Sequence, residues 1–207
     1  MKGKPPFIIG ITGASGSIYG LKLIEELLIK EQNIILTVTN AGKIVLEKEL
    51  DINLFKSEKN EIKNYLLKNA KISEKKIEEK LKYIPVDKID GVIASGSFRT
   101  NGMAIIPCSM STLSSVSNGR ASNLLERAAD VVLKEGLPLL LSPREMPFNS
   151  IHLENMLKLS KMGVIIAPPI PGFYHQPQTI DDLVNFVVGK IMDRLNLEND
   201  LYDRWEG

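Results

Sequence analysis

Four short stretches of this chain combine residue types that handle anions and protons. GASGS, residues 13–17, sets glycines beside the Ser15 and Ser17 hydroxyls, so backbone can come close to a ligand. PCSMST, residues 107–112, offers Ser109, Ser111 and Thr112 together with backbone amides. SPREMPF, residues 142–148, places Arg144 and Glu145 side by side, and Pro143 and Pro147 hold their directions. An arginine pairs a phosphate through two parallel hydrogen bonds, and a carboxyl near phosphate oxygens passes a proton to a leaving group. PPIPGFYHQP, residues 168–177, is a stiff loop presenting Phe173, Tyr174 and His175 as cover for an aromatic ligand. Each stretch alone also has a plainer account. Ser109 or Thr112 caps a helix, Arg144 and Glu145 form a surface ion pair, His175 is a hydrogen-bonded structural residue, and Cys108 is a small buried filler.

The elements that must position these residues follow from hydrophobic pattern. Phe7 to Thr12 is a compact apolar run ending at Gly13, and Ile18, Leu21, Ile24 and Leu28 then recur at helical spacing among Lys22, Glu25 and Glu26. Ile34 to Val38 is a second strand, followed by a helix carrying Ile44, Val45, Leu46 and Leu50, which opens a βαβ unit. From about Asn53 to Asp90 the chain turns rich in Lys and Glu and reads as a solvated helical excursion without chemistry. Alternation resumes with a strand at Met103 to Pro107, helices from about Ser111 and through Asn123 to Glu135, and a strand at Leu137 to Leu141. Ser150 is positioned to cap a helix to Lys161, Gly163 to Ala167 is a short strand, and Thr179 with Asp182 forms a capping box. Its helix presents Leu183, Val187, Ile191 and Leu195. The expected fold is α/β, a flavodoxin-like or Rossmann-like doubly wound parallel sheet in a single domain spanning residues 1–207. In such a sheet ligands sit outside the carboxyl ends of the strands, where GASGS, PCSMST and SPREMPF all fall.

Composition narrows the ligand. The formal charge of +1 over 207 residues lacks the basic footprint of a nucleic-acid binder and leaves room for a local phosphate pocket. One cysteine and two histidines, His152 and His175, exclude a disulfide framework and a Cys/His zinc site within the chain. The sequence shows no run long enough for a membrane span and no cleavage-site pattern near its start, so a cytoplasmic setting is expected. Glycines at 13, 16 and 20 do not follow the GxGxxG spacing, and Thr37 to Asn40 lacks the acid that holds a ribose, which disfavours a dinucleotide. No YxxxK pair or GxxxxGK[ST] loop occurs. A mononucleotide remains. Asp181 and Asp182 suit the first turn of their helix rather than a metal.

Seven blocks, TGASGSIYG, ASGSF, PCSMSTLSSVSNG, NLLERAADVVLKE, SPREMPF, SIHLENMLKLS and PGFYHQPQ, together resemble the flavin prenyltransferase family, long labelled aromatic-acid decarboxylases. The match spans Phe7 to Trp205, and only Asn53 to Lys88 is generic. The resemblance implies a homododecamer that joins a dimethylallyl group from dimethylallyl monophosphate to N5 and C6 of reduced FMN, without a metal. The prenyl-FMN product would serve a partner decarboxylase. Carried over by motif, Gly13, Ala14, Ser15, Thr39, Ser109, Met110, Ser111, Thr112 and Arg144 would hold FMN, with Arg127 at a matching polar position. Tyr174 and Lys190 would hold the dimethylallyl phosphate, joined by Glu49 and Lys134. Ser15, Glu145 and Lys134 would be catalytic, Glu145 as the acid for the departing phosphate, and some of these residues would act across a subunit boundary. Tyr174 and Trp205 would shield an allylic cation from water.

One residue departs from the family pattern. Lys190 stands where arginine is common, keeping the charge without the planar two-pronged contact, which bears on mono- versus diphosphate preference. Two other functions use the same kind of pocket. An FMN-dependent decarboxylase of the phosphopantothenoylcysteine type shares the fold and the NLL helix region, but PCSMST replaces its PATANT-like loop and no match to its catalytic histidine is found. A non-catalytic carrier of prenyl-FMN would need neither Glu145 nor Lys134.

Overall fold

The computed structural model describes residues 4–70 and 72–205. Residues 1–3, part of the stretch considered for a targeting signal, lie outside the described residues, as do residue 71 of the charged excursion and residues 206–207. Six parallel strands form one sheet: β1 (Phe7–Ile11), β2 (Ile34–Val38), β3 (Leu81–Tyr83), β4 (Gly102–Cys108), β5 (Leu139–Pro143) and β6 (Ile165–Ile166). Their spatial order is β3-β2-β1-β4-β5-β6, so the winding direction reverses between β1 and β4. A doubly wound sheet opens its crevice at that reversal. The central strands β1, β2, β4 and β5 are buried along their whole length, which is why they read as continuous apolar runs and not as alternation.

Helices cover both faces. On one side α1 (Ser17–Ile29) and α8 (Ile180–Arg194) pack together, α1 lying over β4 and β1, with Leu21, Ile24, Leu28, Val187 and Ile191 in a shared core. On the other, α5 (Met110–Ser117), α6 (Leu124–Lys134) and α7 (Ser150–Lys161) bury Leu113, Leu125, Ala128, Val132 and Leu159 against β4 and β5. Each fully buried Leu or Ile contributes about 1.5–3 kcal/mol of transfer free energy, so the apolar stripes of these helices dictate which face turns inward. α2 (Asn40–Leu50) follows β2, and α3 (Glu58–Asn69) and α4 (Glu74–Lys80) make up the helical part of the charged excursion.

The strand expected over Gly163 to Ala167 is only Ile165–Ile166, and three other departures from expectation have identifiable reasons. The excursion contains β3, whose Leu81, Lys82 and Tyr83 pair with Ile34, Ile35 and Leu36 at the sheet edge. A three-residue edge strand exposes Lys82, so it leaves no apolar run to read. The cap of α7 is Asn149 and not Ser150: its side chain accepts from His152 N, and the His152 ring accepts from Asn149 N. β5 begins at Leu139, because Leu137 N is spent on Val132 O at the end of α6 and Pro138 has no N–H for the ladder. The capping box of Thr179 and Asp182 stands at the start of α8 as the sequence indicates.

Candidate active site

The carboxyl ends of β1, β2, β4 and β5 meet at the reversal. After β1 the chain turns through Gly16, whose φ of 103° lies in the left-handed region that a side chain disfavours, and enters α1 with its first amides turned outward. Those amides are claimed by a carboxylate. Gly16 N donates to both oxygens of Glu49 at 3.1 Å, and Ser17 N donates to Glu49 Oε2 at 2.9 Å. Glu49 comes from the last turn of α2, so these GASGS amides are held by an acid of the same chain.

Burial alone pushes the Glu49 carboxyl up, but the hydrogen bonds from the Ser15 hydroxyl and the Ser17 and Gly16 amides outweigh that penalty and leave it below its ordinary value. Because the folded state favours the carboxylate, this stabilisation is fully present above the ordinary carboxyl pKa and is lost as pH falls through the lowered folded value. The melting temperature of the wild type is therefore expected to drop more steeply between about pH 5 and pH 3 than that of Glu49→Gln. Equal slopes in thermal melts across that range would remove Glu49 from the cradle.

The β4 end is tied to β1 by Thr12, a residue the motif reading passed over although it adjoins GASGS. Thr12 Oγ1 donates to Pro107 O at 2.8 Å and accepts from Ser109 N at 2.7 Å, fixing the start of α5 beside the first loop. Ser109 then caps α5, its Oγ accepting from Thr112 N at 3.3 Å and donating to Thr112 Oγ1 at 3.1 Å. Thr39 caps α2 in the same way, accepting from Gly42 N at 3.0 Å. Both hydroxyls thus do the plainer work of capping, while the amides of Met110 and Ser111 begin a helix whose N-terminus opens onto the crevice. Cys108 is wholly buried, and burial pushes its thiol far up, which suits a filler and not a nucleophile.

After β5, Arg144 and Glu145 do not pair with each other. Arg144 Nε donates to Ser15 O at 3.2 Å, and its backbone N donates to Cys108 O at 3.1 Å, so the third loop is bolted to the other two. The Glu145 carboxylate is exposed and accepts from Met146 N at 3.0 Å. Ser15, Gly16, Glu49 and Arg144 form the polar rim of a cavity of about 450 Å³. Tyr19, Pro169, Pro171, Ile180, Leu183 and Val184 supply its apolar wall. Pro169 and Pro171 come from the stiff PPIPGFYHQP loop, whereas Tyr19 was not singled out from sequence, since an aromatic in the first turn of a helix carries no distinctive spacing.

The crevice fits a mononucleotide phosphate with a flat ring. A Cβ on Gly13 would lie 2.5 Å from Ala41 Cβ, so β1 and α2 approach so closely there that only backbone lines the cradle. Gly13, Ala14 and Ser15 from the first loop, Thr39 from the second strand end, Ser109 to Thr112 and Arg144 are all brought to this one edge.

Other expected residues lie elsewhere in the chain. Tyr174 and Lys190 belong to an aromatic cluster: Tyr174 meets Phe186 and Trp205 edge-on at 5.6 and 5.9 Å, and Lys190 Nζ lies 5.0 Å from the Tyr202 ring centre. Arg127 and Lys134 sit on α6, exposed, Arg127 facing Asp130 and Lys134 paired with Glu135. α6 runs back from the crevice edge toward the start of β5, so Lys134 at its last turn is directed to the opposite edge of the sheet. His175 lacks the expected hydrogen bond: both ring nitrogens are buried with no partner among the described residues, and the ring instead lies parallel to Phe186 at 5.0 Å. Gly172 packs on the same Phe186 ring, where a Cβ would come within 2.8 Å.

Comparison with known proteins gives a consistent result. A family model described as Flavoprotein matches residues 1–192. The flavin prenyltransferase UbiX of Halalkalibacterium halodurans is 46% identical over 96% of this chain and 92% of its own length. That of Pseudomonas aeruginosa is 42% identical over 99% and 96%. Among solved structures, AnUbiX in complex with FMN and dimethylallyl pyrophosphate superposes with a TM-score of 0.86 at 30% identity, covering 99% of both chains. A dodecameric FMN-dependent UbiX-like decarboxylase from Escherichia coli O157:H7 gives 0.82 at 39% identity, over 98% of this chain and 100% of that one. A phosphopantothenoylcysteine decarboxylase shares the fold alone, at 15% identity and a TM-score of 0.56 over 82% of this chain and 84% of that one.

Proposed function

This chain belongs to the flavin prenyltransferase family, and from that membership we propose how its own crevice joins the dimethylallyl group of dimethylallyl monophosphate to N5 and C6 of reduced FMN. The observation that carries the reading is a single crevice in which Arg144 is tied to the Ser15 backbone, Glu49 holds the α1 amides, and an apolar wall stands opposite. A phosphate and a prenyl chain need those two surfaces side by side. Bound there, FMN supplies the nucleophilic ring positions that accept the prenyl group.

The roles of individual residues follow from their placement. Gly13, Ala14, Ser15, Thr39, Ser109, Met110, Ser111, Thr112 and Arg144 hold FMN, through backbone amides, hydroxyls and one guanidinium. Ser15 stands where the flavin and the allylic phosphate meet, and its hydroxyl is already a donor to Glu49. Glu145 presents its carboxyl at the same loop as Arg144 and is the group that passes a proton to the departing phosphate. Displacing Glu49 from Gly16 N and Ser17 N frees those amides for substrate phosphate, which gives Glu49 its place among the substrate-binding residues.

Tyr174, Lys190, Arg127 and Lys134 bring further phosphate contacts, the last two from α6 of a neighbouring subunit. Support for such an assembly comes from the rim, where Met146, Ile170, Phe173 and Ile180 are 89%, 70%, 68% and 73% exposed. So much apolar surface beside one cavity suits burial by another copy. The dodecamer seen in the E. coli relative is the arrangement proposed for this chain. Prenyl-FMN then passes to a decarboxylase that uses it, and a reducing cytoplasm is the setting proposed for an enzyme that handles reduced flavin. No helix among the described residues is long and apolar enough to cross a membrane.

Anaerobic incubation with reduced FMN and dimethylallyl monophosphate, with the diphosphate in parallel, is expected to yield a flavin heavier by one dimethylallyl unit on mass spectrometry. Recovery of unmodified flavin at full occupancy with both donors would overturn the transferase reading in favour of a carrier. The parallel arm also reports whether Lys190, in place of arginine, alters the choice between the two phosphates.

A further inference from the structure

Past the end of α8 the chain folds back on itself as a strap, residues 196–205, and one carboxylate gathers it. Asp193, on the last turn of α8, accepts from Tyr202 Oη at 2.7 Å, from Asn199 Nδ2 at 2.8 Å, and from Arg204 Nη1 and Nη2 at 3.0 and 2.7 Å. The Arg204 guanidinium holds the Asp193 carboxyl below the usual range. The strap also meets the helix along its length. Asn199 Nδ2 donates to Gly189 O, and a Cβ on Gly189 would lie 2.5 Å from the Tyr202 ring, so glycine is what lets that ring come close against α8. Tyr202 is only 9% exposed although it lies five residues from the chain's end.

The ring that this network immobilises is the one beneath Lys190. The Lys190 ammonium sits 5.0 Å from the Tyr202 centre and 5.8 Å from that of Phe186, and it makes no ion pair with a carboxylate among the described residues. A lysine on an exposed helix face is ordinarily free among many rotamers. Here two aromatic faces hold its charge while leaving its N–H donors unclaimed by an acid. Phe186, which meets Tyr202 edge-on, also meets Tyr174 edge-on.

We propose that Tyr202 is a positioning residue for substrate phosphate, a platform that aims Lys190, and that Asp193, through Tyr202 and Arg204, holds the platform in place. The proposal rests on the prenyltransferase reading and on Lys190 as a phosphate ligand. It explains how lysine serves without arginine's planar fork: an arginine brings its own geometry, whereas a lysine must be given one by its surroundings.

The test is steady-state kinetics of the full-length enzyme with dimethylallyl monophosphate varied and reduced FMN saturating. Tyr202→Leu, which removes the ring, is expected to raise the KM for the phosphate about three- to tenfold, the loss a cation–π contact of this kind produces, with kcat changed less than twofold. Tyr202→Phe keeps the ring but gives up the hydroxyl that Asp193 holds, and is expected to raise KM by less than Tyr202→Leu does. Arg204→Gln, an exposed change that loosens Asp193 without opening a cavity, is expected to shift KM in the same direction as Tyr202→Leu and covers the case in which that variant does not fold. In a Lys190→Met background Tyr202→Leu should add nothing further. Full additivity of the two substitutions, or an unchanged KM in both Tyr202→Leu and Arg204→Gln, overturns the proposal. Wild-type enzyme that makes no prenylated flavin overturns the underlying reading instead, so the two failures are distinguishable. The single tryptophan, Trp205, lies at the strap's end against Tyr174, so its fluorescence reports strap release directly in Arg204→Gln.

Discussion

Glu145→Gln is expected to retain FMN and to slow single-turnover formation of prenylated flavin by about 10²–10⁴-fold, the usual contribution of a positioned general acid. The substitution removes the transferable proton and little else. Glutamine has nearly the same shape, and its side-chain oxygen can still accept from Met146 N, the one hydrogen bond the Glu145 carboxylate makes within its loop. Arg144 stays bolted through its own backbone to Cys108 O and through Nε to Ser15 O, so the phosphate-binding geometry is independent of residue 145. The effect should be smaller with the diphosphate, whose leaving group is the weaker base and needs the proton less. A single-turnover rate equal to wild type with the monophosphate would show that the acid lies elsewhere.

Gly20→Val is expected to destabilise the apo-protein by about 2–3 kcal/mol, the upper part of the usual range for overpacking a core. That corresponds to a melting temperature lower by about 4–12 °C for a chain of this size. On an isolated helix, replacing glycine would stabilise by several tenths of a kcal/mol. The sign reverses because a Cβ at this position would sit 2.5 Å from the backbone oxygen of Ile106 and 3.1 Å from the Ile11 side chain. A strand carbonyl in the centre of a sheet cannot swing aside as a side chain can, so α1 has to lift from β4. That displacement carries Gly16 and Ser17 with it, and FMN affinity should fall together with stability. Calorimetry reads the first effect and flavin titration the second; a melting temperature at or above wild type would show that the helix-to-strand approach is looser than described.

These two substitutions differ in how visible they were beforehand. Glu145 stands between prolines, next to an arginine, directly after an apolar run, and each of those signals is local. Gly20 is legible only as the third glycine of GASGSIYG, where spacing argued against a dinucleotide; its contact with Ile106 joins residues 86 positions apart. Glu49 is the clearest case of the same limit. Nothing near it in the chain marks it as the partner of the GASGS amides, and only the docking of α2 beside α1 delivers its carboxylate to Gly16 and Ser17. His175 shows the converse, a residue expected to be held by a hydrogen bond that is held by stacking on Phe186, because ring contacts between α8 and the preceding loop have no signature in local pattern.

By itself the sequence determined the class of fold, the position of the three loops at strand ends, and the capping of α8 by Thr179 and Asp182, all of which depend on residues within a few positions of one another. It also determined the family, because seven ordered motifs carry more information than any one of them. The tertiary structure decided what local pattern cannot express: that Glu49 closes the first cradle, that Thr12 and Arg144 lock three loops into one rim, and that β3 completes the sheet from within a charged stretch. It also decided that on α6 Arg127 faces Asp130 and Lys134 pairs with Glu135, while Lys190 rests on Tyr202. The division has a physical cause. Backbone propensity and hydrophobic period act over one turn or one strand, whereas an anion cradle and a lysine's aim are set by side chains that meet only after the helices have packed.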